Sequence, residues 1–234
     1  METSKELKEK YDFHYSDNTE EWRKIGAIGK VENILDLTKD LTISNVIDIG
    51  AGDGNVLALL DKKDFCSDLT AVEISDSAIE QIRKKNILRL REIELFDGYK
   101  IPFEDKTFDL AICSHVIEHV EFLRKLLREI KRVSKMQILE VPIDFSFQVD
   151  KKFEHFNSYG HINIYTPSLF NFLLYTEGFE ILKHKNSLYQ KEVIKFQNKK
   201  YSITLIKIKI KRFIWRLIPL LMRIKPNTYT VLTR

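Results

Sequence analysis

The run Asn45-Val46-Ile47-Asp48-Ile49, followed at once by Gly50-Ala51-Gly52-Asp53-Gly54-Asn55, restricts the folds open to this chain more than any other stretch. A short, apolar, β-branched segment is the pattern of a strand buried on both faces, as parallel strands are. Glycines at alternate positions then let the backbone adopt conformations that a Cβ forbids and approach a ligand closely. Asn55 to Leu60 continues as a helix. A strand running through a glycine turn into a helix opens an α/β sheet whose ligands lie beyond the C-terminal ends of the strands.

The same alternation carries on downstream. Leu69 to Ile74 reads as a second strand, Ser77-Ala78-Ile79-Glu80 as a capping box opening a helix, and Ile93 to Phe96 as a third strand ending at Asp97-Gly98. Asp109 to Ser114 is a fourth strand, Glu121 to Val133 an amphipathic helix, and Met136 to Val141 a fifth strand stopped by Pro142. Thr166, Pro167 and Gly178 mark the N-cap, first residue and end of a further helix. Phe179 to Lys185 is a sixth strand and Thr228 to Thr233 a seventh. Upstream, Trp22, Ile25, Ile28, Val31 and Leu35 recur at helical spacing across Glu20 to Lys39, behind a leader carrying Tyr11, Phe13 and Tyr15. The expected fold is α/β, a doubly wound, mostly parallel seven-stranded sheet with an antiparallel last strand. The chain is expected to be one domain over 1–234, with 1–40 as a helical cap and 188–226 as a basic insertion before the last strand.

Two cysteines, Cys66 and Cys113, argue against a disulfide framework or a cysteine-rich metal site, so a reducing, cytoplasmic setting is expected. The polar start METSKELKEKYDFHY offers no secretory segment, and no apolar run is long enough to span a bilayer. The net charge of +4 conceals an asymmetry, because residues 183–234 hold fourteen Lys or Arg and one acid, leaving a balance of −9 before them. Basic residues interleaved with Phe213, Ile214, Trp215, Leu217 and Leu220 make residues 203–225 a candidate for peripheral membrane contact. A lid packed on the domain or on a second subunit explains them equally well, and monomer and homodimer both remain open. Ile206 to Ile210 alternates like a strand, whereas Phe213 to Met222 reads as a helix broken at Pro219. No nucleic-acid module is recognisable, which argues against that class of partner.

The ends of the strands carry the chemistry. A dinucleotide fingerprint needs a small residue where Asn55 stands, and Asp48 and Asp53 put negative charge where a pyrophosphate would settle. A sulfonium and an α-ammonium suit those acids better. Glu73, at the end of the second strand, offers a bidentate acceptor to a ribose diol. Asp97 with Gly98 could receive an adenine amino group, and an ordinary turn-forming Asp-Gly pair competes with that reading.

The blocks VIDIGAGDGN, AVEIS, FDGYKIPFEDKTFDLAICSHVIEHV and GHINIYTPSLFNFLLYTEGFEI together resemble the class I, Rossmann-like S-adenosylmethionine-dependent methyltransferases, above all the branch acting on small molecules, lipids and sugars. The resemblance runs from about Val46 to about Phe179. It implies S-adenosylmethionine as cofactor, released as S-adenosylhomocysteine, with Asp48, Gly50, Gly52 and Glu73 in contact and Asp97 and Gly98 around the adenine. Ser114 and His115 would lie near the methionine moiety. Ala51, Asp53, Asn55 and Ile74 complete the expected cofactor-binding set. The Asn-Pro-Pro-Tyr block of enzymes that methylate amino groups of nucleic acids and glutamine is missing after the fourth strand, as is a cysteine nucleophile for pyrimidine C5. A small-molecule, lipid or glycan-type acceptor is therefore expected.

Methyl transfer from a sulfonium needs alignment and, for a hydroxyl acceptor, somewhere for the proton to go. His115, His119 and His161 are the candidate bases, with His161 preferred. His119 follows His115 by four residues, about one helical turn, and a metal pair there is conceivable from spacing alone. The order H-E-x-x-H is absent because the acid is Glu118, and no metal centre is expected. Two rival readings stand beside the methyltransferase: a nicotinamide-dependent oxidoreductase on the same topology, and a non-catalytic Rossmann-like module acting as a partner or at a membrane surface.

Overall fold

The computed structural model describes residues 20–145, 160–188 and 226–234, together with Phe156, Val193, Ile210, Phe213, Ile214 and Leu217. Expectations for Tyr11, Phe13 and Tyr15, for the alternation over 206–210, and for Trp215, Pro219 and Leu220 lie outside the described residues.

Seven strands form one sheet in the order β3-β2-β1-β4-β5-β7-β6. They are β1 (Asn45–Ile49), β2 (Asp68–Glu73), β3 (Leu90–Leu95), β4 (Phe108–Ser114), β5 (Ser134–Pro142), β6 (Ile181–Ser187) and β7 (Thr228–Thr233). The pairs β1·β2, β1·β4, β2·β3 and β4·β5 are parallel. β7 runs antiparallel to both β5 and β6. The order doubles back at β1, so the chain leaves the sheet in opposite directions after β1 and after β4 and opens a crevice at their C-terminal ends.

The helices are α1 (Glu20–Thr38), α2 (Asn55–Asp61), α3 (Asp76–Arg83), α4 (Leu123–Val133) and α5 (Pro167–Thr176), with a 3-10 turn at Ile117–His119. Successive strand residues point to opposite faces. One face carries Ile47, Ile49, Ala111, Cys113, Leu139, Val141 and Val231 against Leu126, Leu127 and Ile130 of α4 and Phe170 and Leu174 of α5. The other carries Val46, Leu69, Ala71, Leu110, Ile112, Ile138 and Leu232 against Val31, Ile34 and Leu37 of α1, Leu57 and Leu60 of α2, and Ile82 of α3. Burial of both faces is why β1 and β4 read as mostly apolar runs, broken only by single acids. Among the described residues no helix is long and apolar enough to cross a membrane.

The structure shifts several boundaries. α3 is capped by Ser75, whose Oγ accepts from the Ala78 N–H at 3.2 Å, so Ser77 lies within the first turn and the expected capping box starts two residues late. β3 begins at Leu90 because it is the sheet's edge, where Arg91, Glu92 and Leu95 face solvent and the apolar signal fades. α4 starts at Leu123, two residues later than expected, because Glu121 and Phe122 form a separate turn after the 3-10 turn at Ile117–His119. β6 starts at Ile181, after Gly178 (φ +75°) and the buried Phe179 have turned the chain out of α5. The Thr166 cap is as expected, its hydroxyl accepting from the Leu169 N–H at 3.1 Å.

Replacement of Ser75 by Ala is expected to lower the free energy of unfolding by about 1 kcal/mol, while Ser77→Ala costs a few tenths. Urea denaturation of both variants checks this, and a larger loss at Ser77 would contradict the assigned cap.

Candidate functional site

Gly50, Gly52 and Gly54 take φ values of +70°, +57° and +75°, so the turn after β1 is left-handed three times over. Both the Gly50 and Ala51 N–H groups donate to the Val72 carbonyl, at 2.9 and 3.3 Å, which pins the turn to the tip of β2. A Cβ on Gly50 would stand 2.5 Å from Val116 Cγ2, so this glycine also lets the segment after β4 close on the loop. Glu73 fastens the arrangement: Oε2 accepts from the Gly52 N–H at 2.8 Å, and Oε1 accepts from Ile74 N–H at 2.8 Å and Ser75 N–H at 3.2 Å. Asp48, Gly52 and Glu73 therefore share one end of the sheet.

Asp48 is 3% exposed, and among the described residues its Oδ2 has no hydrogen-bond partner. Burial raises its pKa from 3.8 to about 7, against the pull of Lys30 and with the push of Glu73. Asp53 has its own cation, because Arg23 Nε of α1 donates to Oδ2 at 2.9 Å, and Asn55 Nδ2 donates to the same oxygen at 2.9 Å. The charge expected to welcome a cationic ligand is thus carried by Asp48, while Asp53 ties the N-terminal cap over the loop. Asp97 accepts from Tyr99 N–H at 2.8 Å and Lys100 N–H at 2.6 Å, the turn role that competed with adenine recognition in the sequence, and Gly98 follows at φ +86°.

Beyond β4 lies a knot that sequence reading missed. Glu140 of β5 is 2% exposed and accepts from Ser114 Oγ (2.9 Å), Asn33 Nδ2 (2.7 Å) and Thr230 Oγ1 (2.5 Å). His115 Nε2 stands 3.3 Å from Oε1. Burial would raise the Glu140 pKa, but His115, the Thr230 hydrogen bond and Lys30 hold it down at about 2. His115 also lies 3.3 Å, through Nδ1, from Glu118 Oε1. Burial opposes its charge, and the two carboxylates prevail and raise its pKa. A histidine clamped in this way retains its proton and makes a poor base. Ser114 and His115 are thus held in the network, and Lys30 of α1 reaches the Ser114 carbonyl at 3.3 Å.

His115 adopts φ +59°, so His115 and His119 do not share a helix face as the spacing of four suggests. The chain instead brings His119 to His161, their rings edge to face with centroids 4.9 Å apart. The Ile162 and Asn163 N–H groups both donate to the Glu118 carbonyl at 3.0 Å, docking the His161 segment on the 3-10 turn. His161 Nδ1 lies 2.6 Å from Asp144 Oδ2, and His119 Nδ1 3.1 Å from the Gly160 carbonyl. Burial lowers the His119 pKa, partly offset by Glu118. Trp22 is half-buried on α1. The sequence held faint signals for the missed residues: an acid inside the apolar LEVP of β5, and Glu118 between three histidines. Nothing in the sequence indicated that Arg23 and Lys30 reach the site.

Residues 47–137 match the family model described as a methyltransferase domain. The sterol 4-C-methyltransferase of Caenorhabditis elegans is 32% identical over 124 residues, covering 50% of this chain and 36% of that protein. The ubiquinone biosynthesis O-methyltransferase of Rickettsia typhi is 30% identical over 129 residues, covering 47% and 51%. The chain spans about a third to a half of the length of the curated relatives it matches. The solved structure of an S-adenosylmethionine-dependent methyltransferase from Thermotoga maritima superposes with a TM-score of 0.64 at 16% identity, covering 97% of each chain.

The raised pKa of Asp48 fixes the sign of a stability effect. The folded state prefers the protonated acid, so the penalty is absent below pH 3.8, grows towards about pH 7, and is complete above it. Asp48→Asn is expected to stabilise the ligand-free protein at pH 8 by up to about 4 kcal/mol and to leave it unchanged near pH 4. Thermal melts across pH check this, and an equal effect at both ends would refute it.

Proposed function

We propose that this chain is a class I, Rossmann-like S-adenosylmethionine-dependent methyltransferase, as its match to a methyltransferase-domain model and its fold support, and that it moves a methyl group from S-adenosylmethionine to a small-molecule, lipid or glycan-type acceptor. The buried, unpartnered Asp48 oxygen beside the Glu73–Gly52 clasp carries this reading. A lone desolvated carboxylate costs stability unless a positive group meets it. A ligand with a sulfonium and an α-ammonium supplies that charge, and the bare backbone of Gly50 and Gly52 leaves room to approach it. Each Glu73 oxygen already accepts from backbone, and carboxylate oxygens retain capacity for a ribose diol as well. Ala51, Asn55 and Ile74 would line the same pocket, with Asp97 and Gly98 at the adenine end and Ser114 and His115 towards the methionine.

When bound, the cofactor brings an electrophilic methyl group on a good leaving group. The chain's own residues then align the acceptor and take its proton. His161, oriented by Asp144, and His119, oriented by the Gly160 carbonyl, would serve as the bases on the acceptor side. His115 belongs to its support, because it bridges Glu118 and Glu140. We read 1–234 as one such domain, with 1–40 as cap and 188–226 as insertion. Relatives named for sterol and ubiquinone chemistry support acceptors with an apolar body, and for these the exposed Phe213, Ile214 and Leu217 would be a fitting entrance. A nicotinamide cofactor is disfavoured by the acids at the turn, where a pyrophosphate would meet Asp48.

Calorimetry is expected to show heat with both S-adenosylmethionine and S-adenosylhomocysteine. Glu73→Ala should weaken both about 100-fold, as loss of two hydrogen bonds to a charged group would. Asp48→Asn should weaken the sulfonium form more than the uncharged thioether. Folded protein giving no heat with either form would overturn the reading.

A further inference from the structure

We propose that Glu118, His119 and His161 form a binding site for a divalent transition-metal cation. One ligating atom from each lies within 4.8 Å of the others. His119 Nε2 is 3.8 Å from Glu118 Oε1, and the two imidazole rings meet edge to face. A tetrahedral ion with bonds of 2.0–2.1 Å holds its ligands roughly 3.4 Å apart, so the cluster needs to contract by about an ångström to grip one.

Two further observations point to a ligand. Glu118 is fully buried, yet among the described residues neither of its carboxylate oxygens has a hydrogen-bond partner. His115 Nδ1 lies 3.3 Å from Oε1. A buried carboxylate in that state calls for an ion or a water. The second observation is the outer shell. The Gly160 carbonyl can only accept, so at 3.1 Å it fixes the proton of His119 on Nδ1. The Asp144 carboxylate does the same for His161 at 2.6 Å. With Nδ1 carrying the proton, Nε2 is the nitrogen of each ring that can offer a lone pair to a cation. Metal-binding histidines are oriented in this way, with the distal N–H given to a carbonyl or carboxylate. Backbone bonds from Ile162 and Asn163 to the Glu118 carbonyl hold the ligands together before any ion arrives.

Two imidazoles and one carboxylate suit Zn2+, Mn2+, Fe2+ or Co2+ better than the all-oxygen cages of Ca2+ and Mg2+. Three protein ligands leave positions open, as in catalytic sites rather than structural ones. This replaces the expectation of no metal centre, which weighed only His115 with His119. An acceptor oxygen is the group that would complete the coordination, and a hydroxyl held there would give up its proton to solvent more readily, with His119 and His161 then acting as ligands in place of bases. That last step rests on the methyl-transfer reading; the cation site does not.

The full chain, stripped with EDTA and dialysed against micromolar Zn2+ and separately Mn2+, is analysed for bound metal by mass spectrometry, with melting curves run in parallel. Stoichiometric binding of at least one of these ions is expected, with a raised melting temperature. Affinity should fall at least tenfold in His119→Gln and His161→Gln, and about tenfold in Asp144→Asn, which removes only an outer-shell partner. His184→Gln, on the exposed face of β6, should bind as the wild type does. Folded wild type that takes up neither ion overturns the proposal, as does binding that survives both ligand variants. Should the ligand variants fail to fold, Asp144→Asn decides, and unchanged affinity there overturns it. Metal uptake without calorimetric heat from either cofactor form would sink the methyl-transfer reading and leave the site standing. Cofactor heat without metal uptake would do the reverse.

Discussion

Everything at the C-terminal end of the sheet follows from the cost of burying carboxylates. Asp48, Asp53, Glu73, Glu118 and Glu140 all come from, or just after, strand ends, and all are nearly or fully buried. A desolvated acid is tolerated when donors or cations surround it. Glu140 has three hydroxyl or amide donors and His115, Asp53 has Arg23 and Asn55, and Glu73 has three backbone N–H groups. Those three are structural solutions, and they set the geometry around the other two, Asp48 and Glu118, which have fewer donors near them.

The N-terminal helix is part of this balance. α1 packs its apolar face on α2 and on the β7 side of the sheet, and from the same helix Arg23, Lys30 and Asn33 reach Asp53, the Ser114 carbonyl and Glu140. Asn33 also accepts from Ser187 Oγ of β6. The cap is thereby joined to the loop after β1, to the tip of β4 and to the far edge of the sheet. Removal of the helix would strand two buried acids as well as expose an apolar face, so cap and pocket are energetically a single unit.

What could be read from the sequence divides along physical lines. Strands buried on both faces betray themselves by composition, and β1 and β7 were read to the residue because the first ends at a glycine turn and the second begins just after Pro226-Asn227. The glycine turn was legible because only glycine tolerates three left-handed positions in five residues. Edges were less so: β3 has solvent on one side, and its polar start hides it. Contacts between distant segments were not legible at all. The clasp of Glu140 by Asn33 and Thr230 joins residues 107 and 90 positions away, and no periodicity encodes that. Local spacing even misled at His115 and His119, because a left-handed residue and a 3-10 turn replace the helix that a separation of four suggests.

His115 shows why that irregularity persists. A non-glycine residue at φ +59° is strained, and such strain survives only where its surroundings over-determine it. Here the His115 N–H donates to the Glu140 carbonyl at 2.9 Å, and both ring nitrogens face buried carboxylates. The turn it forces lets Val116 pack against Gly50 and sends Glu118 inward rather than to solvent. Among the described residues six buried side-chain oxygens lack a hydrogen-bond partner, and half of them belong to Asp48 and Glu118. Folded proteins leave few such atoms without a reason. That two carboxylates account for three, one at the glycine turn and one beside the paired histidines, is the common ground of the two proposed sites at the crevice the strand order creates.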